Sequence, residues 1–216
     1  MDSVASDRLP ARTEVPLGRS VTTGLKIVIV GGFGVGKTTM VRSVSEIRPL
    51  DTEATMTNTG IGVDDPTGAP NKSTTTVAFD FGRITIGAEH VLYLFGAPGQ
   101  QRFWFLWDRL FAGALGAIVL VDQRRITDSW YAIDRLEAQG TSFVVACNNF
   151  TPTTGRLAEI RNALDLDPRV PLIDCDARSR KSAVSVLITL VEHLYSGAAS
   201  TSAGHVDPEG PLHDFS

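Results

Sequence analysis

The sequence has no apolar run approaching the ~18 residues that span a bilayer, so no transmembrane helix is expected. It has only two cysteines, Cys147 and Cys175, both within apolar segments and at a spacing that suits no metal site. Buried, reduced thiols of a cytosolic protein are therefore expected rather than a disulfide framework. Basic residues are not in excess: 20 Lys and Arg stand against 24 Asp and Glu, for a formal net charge of −4. That balance argues against a bulk binder of nucleic acid or of an anionic membrane. The opening MDSVASDRLPARTEV lacks the apolar centre of a secretory signal. Asp2 stands where N-myristoylation needs glycine, and the final PLHDFS is no prenylation box. Together these absences predict a cytoplasmic protein that reaches a membrane only through a partner.

What is present is an ordinary globular composition: 216 residues, 43% of them hydrophobic and 20% charged. That is enough chain for one α/β domain with a substantial core. Residues 1–23 are rich in Ser, Thr, Arg and Pro without periodicity and read as a mobile tail, residues 24–196 as the domain, and 197–216 as a second tail. LKIVIV (25–30) is a fully buried strand, and GGFGVGKTTM leads from it into a helix that runs to about Arg48, where Pro49 stops it. Residues 49–73 read as a long loop, functional or disordered. Segments 74–86 and 90–95 form a hairpin around Gly87–Glu89, and 116–122, 142–148 and 170–175 are further strands. Helical spacing links Trp130, Ile133 and Leu136; then Leu157, Ile160 and Leu164; then Val184, Leu187, Ile188, Val191, Leu194 and Tyr195. The alternation predicts an α/β fold: a six-stranded, mostly parallel sheet covered on both faces, with the hairpin as a single antiparallel edge.

Gly31-Gly32-Phe33-Gly34-Val35-Gly36-Lys37-Thr38 fits G-x-x-x-x-G-K-[ST] after a strand and at the opening of a helix. Backbone N–H groups must turn inward around phosphate oxygens, which needs glycine where a Cβ would block them. The helix N-terminus adds its positive end. The residues expected to bind nucleotide phosphates are Gly31, Gly34, Val35, Gly36, Lys37, Thr38 and Thr39. Lys37 reaches the β- and γ-phosphates, and the Thr38 hydroxyl is offered to Mg²⁺.

Further along come Thr76-Val77-Ala78-Phe79-Asp80-Phe81-Gly82, then Gly96-Ala97-Pro98-Gly99-Gln100, then Asn148 at the end of a strand. In this order and composition the chain, over about residues 25–196, resembles the MglA-like bacterial Ras-superfamily small GTPases. Within them it is most similar to the actinobacterial conservon GTPases. The resemblance implies a P-loop small-GTPase fold and a GTP-binding switch with GTP/GDP and Mg²⁺ as ligands. It implies Thr76 as the switch threonine sensing metal and γ-phosphate, with Thr75 as the neighbouring alternative. Gly99 would give its N–H to the γ-phosphate, and Gln100 would orient the attacking water. Asn148 and Asn149 would belong to the base-binding loop, and Asp176-Ala177-Arg178 would pack beneath the base. A roadblock (MglB-like) dimer and a sensor-kinase-like membrane protein are the implied partners.

Three positions depart from that pattern. Gly96 replaces the aspartate that usually helps to hold magnesium, and Asp80 and Asp122 are the nearby acidic residues, between which spacing does not choose. Thr151 stands where an aspartate reads guanine, and one hydroxyl cannot replace two charge-assisted hydrogen bonds. Thr75 replaces an internal arginine finger, worth roughly three to five orders of magnitude in rate, so hydrolysis is expected to be slow without a partner. Arg83 and Arg102 lie nearby in sequence. A nucleotide-binding scaffold without hydrolysis or base selectivity is the competing expectation. After Gln100, Phe103-Trp104-Phe105-Leu106-Trp107 is too apolar for a one-sided helix, so either it is buried on both sides or part of it forms an exposed patch for a partner.

Overall fold

A computed structural model describes residues 17–18, 20–48, 50–57, 74–149 and 156–202. Among the described residues, seven strands form a single sheet in the order β2-β3-β4-β1-β5-β6-β7. They are β1 (Thr23–Gly31), β2 (Leu50–Thr57), β3 (Thr74–Ile86), β4 (His90–Gly96), β5 (Gly116–Val121), β6 (Phe143–Asn148) and β7 (Leu172–Cys175). All six expected strands are there. The seventh, β2, lies in the segment read as loop and pairs antiparallel with β3, from Leu50 opposite Phe81 to Thr57 opposite Thr74. The antiparallel part of the sheet therefore has two ladders, β2–β3 and β3–β4, rather than one.

The apolar runs of the central strands are continuous because both faces are covered. Ile27, Ile29, Ile118, Leu120 and Val144 point to one side, where α1 (Lys37–Val44) and α5 (Arg180–Ser202) pack. Val28, Val30, Val119, Val121 and Val145 point to the other, against α2 (Trp107–Phe111), α3 (Trp130–Ala138) and α4 (Leu157–Ala163). Cys147 and Cys175 are buried and unpaired, and burial pushes their thiols up to about 12 and about 11.

Two helical faces differ from the expected ones. On α5 the buried set is Ala183, Val186, Leu187 and Leu190, while Ile188, Val191 and Tyr195 are exposed. That helix carries apolar side chains nearly all round, so periodicity alone selects its face poorly. It also continues through Ser202, past the Gly197 at which the second tail was expected to begin. On α3, Trp130 is exposed, and Ala132, Ile133 and Leu136 form the packed face.

β1 is the point at which the chain order reverses: its neighbours are β4 on one side and β5 on the other, both parallel. Open α/β sheets bind ligands in the crevice at the carboxyl ends of the strands at such a point. The loop between β1 and α1 sits in that position.

Candidate functional site

The β1–α1 loop is shaped by glycines with positive φ at Gly31 (138°), Gly34 (75°) and Gly36 (110°). Gly31 shows why: a Cβ there would lie 2.3 Å from the Leu120 carbonyl oxygen of β5. Below the loop runs a cavity of about 540 Å³, lined among others by Gly34, Gly36, Thr38, Thr39, Gln100 and Arg102. A larger cleft of about 960 Å³, bordered by Glu137, Phe143 and His193, lies at the opposite, amino-terminal end of β6. Volume does not mark the site; the loop does.

Lys37 is buried at the head of α1, and its Nζ donates to the carbonyl oxygens of Gly31 (2.9 Å) and Gly32 (2.7 Å). Desolvation lowers its pKa to about 8, with the Asp80 charge partly opposing the shift. Thr38 Oγ1 donates to Asp80 Oδ2 at 2.7 Å. Asp80 and Gly96 also line the cavity.

The Pro98–Gln100 segment lies directly on this loop. A Cβ on Gly99 would come within 2.7 Å of Lys37 Nζ and 2.8 Å of both Gly32 C and Phe33 N. The aromatic run behind it forms a 3-10 turn (Gln101–Leu106) and α2. Trp107, 2% exposed, donates its indole N–H to the Pro98 carbonyl at 3.3 Å. Phe103 is also buried, Trp104 is half-buried and stacked on Tyr131, and Phe105 is 54% exposed. Phe33, 65% exposed, stands on the rim of the same cavity.

On the other side, Asn148 joins two loops: its Nδ2 donates to Val35 O (2.7 Å), and its Oδ1 accepts from Ala177 N (2.9 Å). Gly36 is required for that approach, since a Cβ would sit 2.5 Å from Asn148 Nδ2. Asn149 donates to Asp174 Oδ1 (2.7 Å) and accepts from Gln123 Nε2. Arg178 grips the Asp176 carboxylate through Nε (2.8 Å) and Nη2 (3.1 Å), which holds that carboxyl below its usual range. Asn149, Asp174, Asp176 and Arg178 border a small cavity of about 260 Å³.

The sequence-derived residues thus gather in two neighbouring places. Lys37, Thr38, Thr39, Gly99 and Gln100 share the phosphate-side cavity, and Asn148, Asn149, Asp176, Ala177 and Arg178 meet beside it. Thr76 lies in β3 opposite Thr55. Its side chain and that of Thr75 fall outside the described residues, as does Thr151. Of the nearby arginines, Arg83 is buried with its Nε on Glu46 (3.0 Å), whereas Arg102 lines the cavity. Asp122 does not line the cavity; Arg124 donates its backbone N–H, Nε and Nη2 to it, and Arg125 Nε lies 3.6 Å from its Oδ2.

Sequence reading missed the segment that clasps the loop from outside. Arg125 Nη2 donates to Phe33 O at 2.9 Å, and Asp128 Cβ packs so closely that a Cβ on Gly32 would lie 2.8 Å away. No spacing rule signals that contact, because residues 122–129 reach the loop only through the β1–β5 pairing.

A protein-family model described as a conserved hypothetical ATP binding protein matches residues 29–157, more than half of the chain. The chain belongs to that family. The region that places it among these conserved hypothetical ATP binding proteins spans the phosphate loop, Asp80, the Pro98–Gln100 segment and Asn148. A relative, the uncharacterized protein MJ1339 of Methanocaldococcus jannaschii, is 30% identical over 98 residues, 45% of this chain and 51% of that protein. The chain thus spans about half the length of the curated relative it matches. Among solved structures it is similar to the FeoB G-domain from Methanococcus jannaschii, with a TM-score of 0.52 and 11% identity over 81% of this chain and 99% of that one. The fold is that of a G-domain.

Proposed function

We propose that the protein is a GTP-binding switch that hydrolyses its nucleotide slowly with Mg²⁺ and signals through a partner complex. The observation that carries this reading is the seating of Gly99 and Gln100 on the same loop that holds Lys37 and Thr38. A γ-phosphate cradled by that loop would meet the Gly99 N–H, and its loss would release the segment. The donor set also fits magnesium: a threonine hydroxyl and a carboxylate oxygen 2.7 Å apart are hard oxygen ligands beside a phosphate cradle. Thr38, with Thr76 by resemblance, would hold the ion, which supplies neutralisation of charge on the phosphates.

In this reading Gln100 orients the attacking water. With Thr75 in place of an arginine and Arg83 committed to Glu46, Arg102 is the arginine among the described residues that lines the cavity where the γ-phosphate would lie. Its guanidinium rests 4.7 Å from the Phe103 ring centre, so its recruitment requires a partner or a loop movement. The resemblance to MglA-like and conservon GTPases supports a roadblock-type dimer as that partner, with a sensor-kinase-like protein bringing the complex to the membrane. Phe33 and Phe105, exposed at and beyond the cavity rim, are the aromatic groups such a partner would read.

A second reading is favoured by the family description and by Asn149, whose amide is occupied by Asp174 and Gln123: a nucleotide-binding scaffold without guanine selectivity. Competition binding of GTP, GDP and ATP, each with Mg²⁺ and with chelator, separates the two. The switch predicts at least about tenfold preference for guanine nucleotides, which is ~1.4 kcal/mol. Equal affinity for ATP supports the scaffold.

A further inference from the structure

We propose that Asp174, on β7, is the residue that reads the base, its carboxylate accepting from the N1 and N2 donors of guanine. The inference rests on the reading that the two neighbouring cavities hold one guanine nucleotide, its phosphates on the β1–α1 loop. Three observations around the smaller cavity support it.

The first is place. Asn148 ties the phosphate loop to the loop after β7, where a Cβ on Gly36 would lie 3.4 Å from Ala177 Cβ. Beyond that junction Asn149, Asp174, Asp176 and Arg178 border the cavity of about 260 Å³. A nucleotide with its phosphates on the loop would extend in this direction. The second is availability. Among the described residues, two carboxylates border that cavity, and Asp176 has both oxygens engaged by Arg178. Asp174 is exposed, its Oδ1 accepts from Asn149 Nδ2 at 2.7 Å, and among the described residues its Oδ2 takes no hydrogen bond. A carboxylate oxygen has two lone pairs, so both oxygens of Asp174 can still accept. The third is orientation. Gln123 Nε2 donates to Asn149 Oδ1, and Asn149 in turn donates to Asp174. The Asn149 backbone N–H is itself fixed on Cys175 O at 2.8 Å, next to Asp174 on β7. An exposed side chain is thereby held in one direction, and a preorganised acceptor loses less freedom on binding. The engagement of the Asn149 amide is thus a support for the acid.

The chemistry selects the base. Guanine presents its N1–H and its 2-amino group side by side, and the two oxygens of a carboxylate match such a pair of donors with charge-assisted bonds. Adenine presents the N1 lone pair at that edge and has no 2-amino group. It would close over Asp174 and leave the carboxylate desolvated and unpaired, which is how sites built on hydrogen bonds reject analogues. With a carboxylate supplied by β7, guanine can be read without an acid at position 151.

The test is calorimetric titration of the full chain, with Mg²⁺, by GDP, inosine diphosphate, xanthosine diphosphate and ADP. Inosine lacks the 2-amino donor, and xanthosine carries an acceptor oxygen in its place. Wild type should prefer GDP to inosine diphosphate by roughly tenfold or more, with the other two weaker still. Asp174→Asn keeps an oxygen for Asn149 and turns the other into an amino donor. It should lose roughly 10²-fold in GDP affinity and bind xanthosine diphosphate more tightly than GDP. Asp174→Ala should bind GDP and inosine diphosphate alike, without the gain for xanthosine diphosphate. A wild-type ranking kept by either variant overturns the assignment and leaves the guanine reading standing. So does an equal loss for all four diphosphates, the result of a purely structural Asp174. Wild type with equal affinity for ADP and GDP overturns the guanine reading itself, and the assignment with it.

Discussion

Lys37→Ala is expected to lower nucleotide affinity by about two to four orders of magnitude, while leaving the fold intact. Two charged hydrogen bonds from Lys37 to phosphate contribute roughly 1.5–3 kcal/mol each, and about 1.4 kcal/mol is a factor of ten in affinity. The substitution should not cost stability, because the ammonium is desolvated and held by two loop carbonyls that water can replace. Titration gives a second handle on the same residue. Its pKa falls from 10.5 to about 8 on folding, so between those values the unfolded chain binds the extra proton. Stability of the protein without added nucleotide should therefore rise with pH across that window, and the Ala variant should lack this component. Phosphate charge restores the protonated form, so nucleotide binding should take up a proton above pH ~8 and weaken as pH rises further. Thermal melts across pH and calorimetry in buffers of different ionisation enthalpy measure both effects. Unchanged affinity in Lys37→Ala would remove the phosphate cradle from the account.

Gly99→Ala should separate hydrolysis from binding. A Cβ at 99 meets Gly32 C and Phe33 N at 2.8 Å, and these are backbone atoms of a loop already fixed by Leu120 and Asn148. The Pro98–Gln100 segment must therefore lift away, taking with it the Gly99 N–H and the placement of Gln100. Loss of a single preorganised donor costs about 10² to 10³ in rate, so hydrolysis of bound GTP should fall by at least ~10². GDP, which does not need the γ-phosphate contact, should bind within a few-fold of wild type. Equal hydrolysis in the variant would show that Gly99 does not lie on the loop when nucleotide is bound.

Much of the scaffold is legible in the sequence for one physical reason. Strands buried on both faces must be apolar throughout, so LKIVIV, GAIVLV and SFVVAC declare themselves, and the glycine-rich loop declares the ligand between them. What escapes reading is whatever depends on pairing. Strand β2 has Leu50, Ala54 and Met56 at alternate positions, but Pro49 before it and the Thr, Gly and Asp after it read as loop; its ladder with β3 decides. The Asp80–Gly96 pair was within reach, since counting back along each arm of the hairpin from Ile86–His90 brings the two together. The Arg125 and Asp128 clasp on Phe33 and Gly32 has no local signature at all. The exposed face of α5 was hidden by its own abundance of apolar residues.

In the proposed switch, a bound triphosphate is cut slowly by a water that Gln100 positions. Single-turnover hydrolysis of GTP preloaded on the purified full chain, wild type beside Gln100→Leu, tests it most directly. The expected result is slow turnover in wild type without a partner, and a further fall of about 10² or more in the variant, with GTP still bound. Hydrolysis indifferent to Gln100, or turnover at several per second by the isolated chain, would contradict it.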